Sequence, residues 1–134
     1  MENNLNKSKE LEQEMVDFTV AVVKYTEAAG LPRSIADQLI RAAGGIGANY
    51  VEALNASSKT DFRNKVYISK KEAAATRYWL KISAKLSSYH LEINHQLTEQ
   101  SQKFLMILQK TVNTINDQGK TNGQHIKASR IYGH

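Results

Sequence analysis

The 134-residue chain contains no cysteine. Disulfides and thiolate metal ligands are therefore excluded, and a reducing compartment is compatible with the composition. Proline occurs once, at Pro32, so nothing inside the longer segments forces a helix to break. Alternating β-branched runs are scarce, which argues for an all-helical chain. The opening stretch MENNLNKSKELEQE has no apolar segment of the kind a signal peptide needs. No apolar run approaches the roughly 20 residues of a membrane span. These absences are compatible with a reducing cytosol and give no reason to expect membrane contact.

The signatures of catalysis are equally sparse. There is no G-x-S-x-G, no cysteine nucleophile and no H-E-x-x-H. His90 and His95 are separated by a turn, and His125 and His134 lie near the C-terminus. No paired carboxylates accompany them, so neither a metal site nor a cofactor nor an enzymatic activity is expected.

What is present is helical periodicity. The length suits one domain with a real core. Leu11, Met15, Phe18, Val22, Tyr25 and Ala29 form an apolar seam at heptad spacing, predicting a first helix from about Lys9 to Ala29. Gly30 can then turn left-handed. Ser34 and Asp37 have capping-box spacing for a second helix reaching Leu54. Ser58 and Asp61 repeat the pattern for a third, reaching Ser87. Ser88 to Asn94 reads as a turn, and a fourth helix is expected over about His95–Asn116. The fold class implied is all-α, an antiparallel up-down-up-down four-helix bundle over residues 1–118. Residues 119–134 read as a flexible basic tail. Phe104 to Leu108 is apolar nearly all round, and Phe62, Trp79, Leu80, Ile82 and Leu86 make a broad apolar arc. Both favour a homo-oligomer.

Gly44, Gly45 and Gly47 lie within the second helix. Each costs about 1 kcal/mol relative to Ala, so close backbone approach is the expected compensation. A phosphate-cradling loop is the other reading, but GGIGAN fits neither G-x-G-x-x-G nor a P-loop. Gly44, Gly45, Gly47 and Asn49 are thus assigned to helix packing, Asn49 as an interior polar group that could bond across helices.

Charge is uneven. Residues 1–58 carry five Lys and Arg against eight Asp and Glu, whereas residues 59–134 carry thirteen against five. On a helical wheel Lys59, Arg63, Lys70, Arg77, Lys81 and Lys85 fall within an arc of about 80°. Glu72 falls on the opposite side, and Tyr67 and Tyr78 flank the stripe. Such a line of cations can follow a phosphate backbone, releasing counterions at each contact, and the tyrosines could stack on bases. The alternative is a solvated Lys-rich face. Symmetry copies would multiply the field, which favours nucleic acid.

The block from Arg41 to Leu80 resembles the 23S ribosomal RNA intervening-sequence protein family, known as four-helix bundle proteins. The resemblance rests on Arg41-Ala42-Ala43-Gly44-Gly45-Ile46-Gly47-Ala48-Asn49-Tyr50-Val51-Glu52-Ala53. It continues through Ser58-Lys59, Asp61-Phe62, Lys71-Glu72-Ala73 and Thr76-Arg77-Tyr78-Trp79-Leu80. It implies a bacterial cytosolic protein and a homopentamer. A related branch, the accessory variability proteins of diversity-generating retroelements, binds nucleic acid and a reverse transcriptase, so RNA, DNA or such an enzyme are implied as partners. The family commonly carries Glu where this chain has Ala75. Two functions remain: a nucleic-acid-binding accessory oligomer, or a protein-interaction scaffold whose charges serve assembly.

Overall fold

The computed structural model describes the backbone of residues 2–122 and the side chains of residues 6–118. Four helices follow one another: α1 (Glu2–Ala28), α2 (Arg33–Leu54), α3 (Lys59–Leu86) and α4 (Leu91–Asn122). Each packs against its sequence neighbours, and α4 closes back on α1 over a thin seam. Neighbours run antiparallel: Met15 faces Gly47, Ile46 faces Ser69, and Phe18 meets Phe104 edge-on at 5.3 Å. The architecture is the expected four-helix bundle.

The core is built from heptad-spaced positions on every helix. Met15, Phe18, Val22, Tyr25 and Ala29 are buried on α1, as their spacing predicts. On α3 the inward positions are Val66, Ser69, Ala73, Thr76, Leu80 and Ser83, all fully buried. Half of these are hydroxyl residues, and each hydroxyl donates to a backbone carbonyl: Ser69 to Ile46 at 2.7 Å, Thr76 to Glu72 at 2.8 Å and Ser83 to Trp79 at 2.7 Å. Their polar groups are thereby satisfied without solvent. Of the apolar arc expected on this helix, Leu80 is fully buried, Phe62, Trp79 and Ile82 are half-buried, and Leu86 is exposed. Asn94 joins α4 to two other helices by donating to Tyr25 Oη and to the Leu80 carbonyl, each at 2.9 Å.

The helix ends refine the sequence reading. Gly30 adopts φ +62°. The Gly30 and Leu31 N–H groups donate back to Glu27 and Thr26, closing α1 with a Schellman turn. The Ser34 cap does not form. Pro32, with its fixed φ, occupies the N-cap position, and the Ile35 and Ala36 N–H groups donate to its carbonyl, so α2 starts before Ser34 can cap it. Ser58 does cap α3, accepting from the Asp61 N–H at 3.0 Å. Helix α1 begins earlier than Lys9, because the polar first turns are helix-compatible though they lack an apolar stripe. The expected turn over Ser88–Asn94 is shorter than read, since α4 starts at Leu91 rather than His95. His90, at φ +60°, makes the reversal in the short connection. Helix α4 also runs past Asn116 to Asn122. Most of the proposed tail, residues 123–134, lies outside the described residues.

Candidate nucleic-acid interface

The six cations of the stripe share one face of α3, yet they are not equivalent. Lys59, Lys81 and Lys85 are exposed, whereas Arg63, Lys70 and Arg77 are half-buried where α3 meets α4. Lys70 donates to Gln109 Oε1 at 2.6 Å, and Arg63 donates to Asn116 Oδ1 at 3.4 Å. Both also flank the Tyr67 ring, Lys70 Nζ at 5.5 Å and the Arg63 guanidinium carbon at 6.0 Å from its centroid. That ring is already engaged by cations. Tyr78, by contrast, is 57% exposed and packs edge-on against Trp79.

The α3–α4 contacts have a repeat that the sequence reading missed. Arg63, Lys70 and Arg77 step by seven along α3, and Asn116, Gln109 and Gln102 step by seven in the opposite direction along α4. The helices are antiparallel, so these residues form cation–amide rungs. Two rungs are bonded. In the third, Arg77 Nε and Gln102 Oε1 are both buried without a partner. The signal was available as Asn/Gln spacing on α4, but it has meaning only once α4 is known to lie beside the stripe.

An open groove of about 540 Å³ surrounds this third rung. Arg77 forms one side, and Thr98, Gln102, Lys103, Met106 and Ile107 form the other. Lys103 Nζ lies 3.4 Å from Glu14 on α1.

The opposite side of α3 carries different chemistry. Lys65 pairs with Glu52 on α2 at 2.8 Å. The Glu52 hydrogen bond and charge hold the Lys65 ammonium pKa above its ordinary value. Glu72 lies over Gly45, with Oε2 closer than a Cβ there would tolerate. Gly44 is looser: its added Cβ would meet Thr19 Cγ2 at 3.8 Å. At Gly47 an added Cβ would lie 3.2 Å from Met15 Cβ, so close helix approach is concentrated there. Asn49 is half-buried and donates to the Gly45 carbonyl of its own helix at 2.8 Å, so its amide is satisfied locally instead of across helices. Among the described residues no cluster of His, Asp and Glu could hold a metal. No described helix is long and apolar enough to cross a membrane.

Comparison with known proteins places this geometry in a family. The family described as 23S rRNA-intervening sequence protein matches residues 6–110. This chain belongs to that family. The match spans all of α2 and α3 and most of α1 and α4, so the basic stripe and the rungs at Lys70 and Arg77 fall inside it, while Asn116 falls outside. A solved member of the S23 ribosomal protein family from Bacteroides thetaiotaomicron VPI-5482, a protein of unknown function, is 27% identical with a TM-score of 0.69. The alignment covers 75% of this chain and 96% of that one. No functionally curated protein matches. In this intervening-sequence protein Ala75 is half-buried on α3, where a glutamate would place a carboxylate on the helix that also carries Glu72.

Proposed function

We propose that this protein is a non-enzymatic, cytoplasmic homo-oligomer that binds the backbone of RNA or DNA through the basic face of α3. The supporting observation is the axial spread of cations. At about 1.5 Å rise per residue, Lys59 to Lys85 extends over about 39 Å. Lys59, Lys81 and Lys85 are exposed, so three of the six are open to phosphates. Contacts of this kind carry affinity with little sequence preference. A pentamer, implied by the resemblance, would present several such faces. Exposed Val16 and Val20 on α1 supply apolar surface for subunit contacts or for a protein partner such as a reverse transcriptase.

The scaffold reading draws on the same structure. Arg63 and Lys70 are engaged with α4 amides, and the acidic α1 of one copy could meet the basic α3 of another. Fluorescence anisotropy across a salt series, run beside sizing, separates the two. Replacing Lys59, Lys81 and Lys85 by Gln should lower both affinity and salt slope while leaving assembly intact. If the variant loses assembly, or the wild type binds no nucleic acid at about 50 mM salt where phosphate contacts are strong, the nucleic-acid reading falls.

A further inference from the structure

We infer that the open third rung, at Arg77 and Gln102, receives one unpaired nucleotide of a single-stranded nucleic acid. This rests on the backbone-binding reading and deepens it. Three rungs share one spacing, yet only the first two hold a cation–amide hydrogen bond; Arg77 Nε and Gln102 Oε1 are buried without a partner, as is Arg63 Nε. The Arg77 guanidinium and the Gln102 amide are thus not spent on each other, which leaves their remaining N–H groups for a ligand. Arg77 and Gln102 both line the groove. It is an open surface groove of about 540 Å³, so a bound group would stay partly exposed.

The lining divides by chemistry. Arg77, with exposed Lys81 one turn further on, supplies charge for a phosphate. Met106, 63% exposed, and its neighbour Ile107 supply an apolar surface for a base face. The Gln102 amide also lines the groove, and its N–H groups can donate to a base edge. Glu99 also lines the groove, its carboxylate 3.6 Å from His95 Nε2. Its charge disfavours a phosphate on that side and so directs it towards Lys81. A duplex cannot use this arrangement, because its base faces are stacked on one another and only base edges, sugars and phosphates reach the surface. A single strand can turn one base into the groove.

The test compares a single-stranded oligonucleotide with a blunt duplex of equal length, by anisotropy at fixed salt. The wild type should prefer the single strand by at least about fivefold, the low end of what one stacked base contributes. Met106→Ala and Gln102→Ala should each bring the ratio of single-strand to duplex affinity towards one. Met106 is exposed, so its variant keeps the test valid if Gln102→Ala fails to fold by circular dichroism. Equal wild-type affinity for both strands, or a preference that survives Met106→Ala, overturns this inference and leaves backbone binding standing. Absence of binding to either at about 50 mM salt overturns both.

Discussion

Replacing Gly44 and Gly47 by alanine, one at a time, should have different effects although both lie in the same helix turn. Alanine gains about 1 kcal/mol over glycine in a helix interior. At Gly44 the new methyl would sit 3.8 Å from Thr19 Cγ2, an ordinary contact. The full gain should therefore appear, as a rise in Tm of roughly 3–5 °C for a chain of this size. At Gly47 the methyl would lie 3.2 Å from Met15 Cβ. A Cβ cannot swing aside as a side-chain tip can, so α1 and α2 must part by a few tenths of an ångström. Overpacking of that kind costs about 1–3 kcal/mol, cancelling or exceeding the propensity gain. Leucine at Gly47 should be clearly destabilising. Thermal melts by circular dichroism at one protein concentration read both changes. A Gly47→Ala protein that melts as high as Gly44→Ala would refute close approach of α1 and α2 at that point.

Further outcomes follow from other contacts. Asn94→Ala should cost about 1–3 kcal/mol, because it strands the buried Tyr25 hydroxyl and removes a second bond to the Leu80 carbonyl; adding Tyr25→Phe should recover part of the loss in urea unfolding. Ser58→Ala, which removes the cap on Asp61 N–H, should lower stability by about 1 kcal/mol. His90→Asn should raise Tm, since φ +60° suits asparagine better than most side chains. Lys59, Lys81 and Lys85 replaced by Gln should reduce the salt slope by about 2.7 if all three meet duplex phosphates, which is roughly a 40-fold smaller affinity loss between 50 and 200 mM salt. An unchanged slope would mean that these exposed lysines do not meet the ligand.

Much of the fold was legible because α1 buries large apolar side chains at heptad steps. The α1 seam from Met15 to Ala29 could be read residue by residue. The inward face of α3 could not, since Ser69, Thr76 and Ser83 look solvated until their hydroxyls are seen to donate to carbonyls. The turn before α4 was misread for a related reason: Asn94 resembles a loop residue, and its burial depends on Tyr25, distant in sequence. The stripe was correctly placed on one helix face. A wheel cannot say what packs beside that face, so it could not divide free cations from those held by Gln109 and Asn116. The open rung at Arg77 and Gln102 is a tertiary feature and leaves no mark on either helix alone.

The thin α1–α4 seam bears on the order in which the molecule assembles. Most packing joins α2 to α3 and α3 to α4, through short connections. Such local contacts close at little entropic cost and form early. Helix α1 has few contacts until α2 is in place, so its amides should open and exchange at lower free energy than those of α3. Yet α1 leaves the ribosome first. During synthesis Phe18, Val22 and Tyr25 therefore wait uncovered for the helices that will bury them. The acidic residues around them, Glu10, Glu12, Glu14 and Asp17, keep that segment charged in the interval, which opposes its association with other nascent chains.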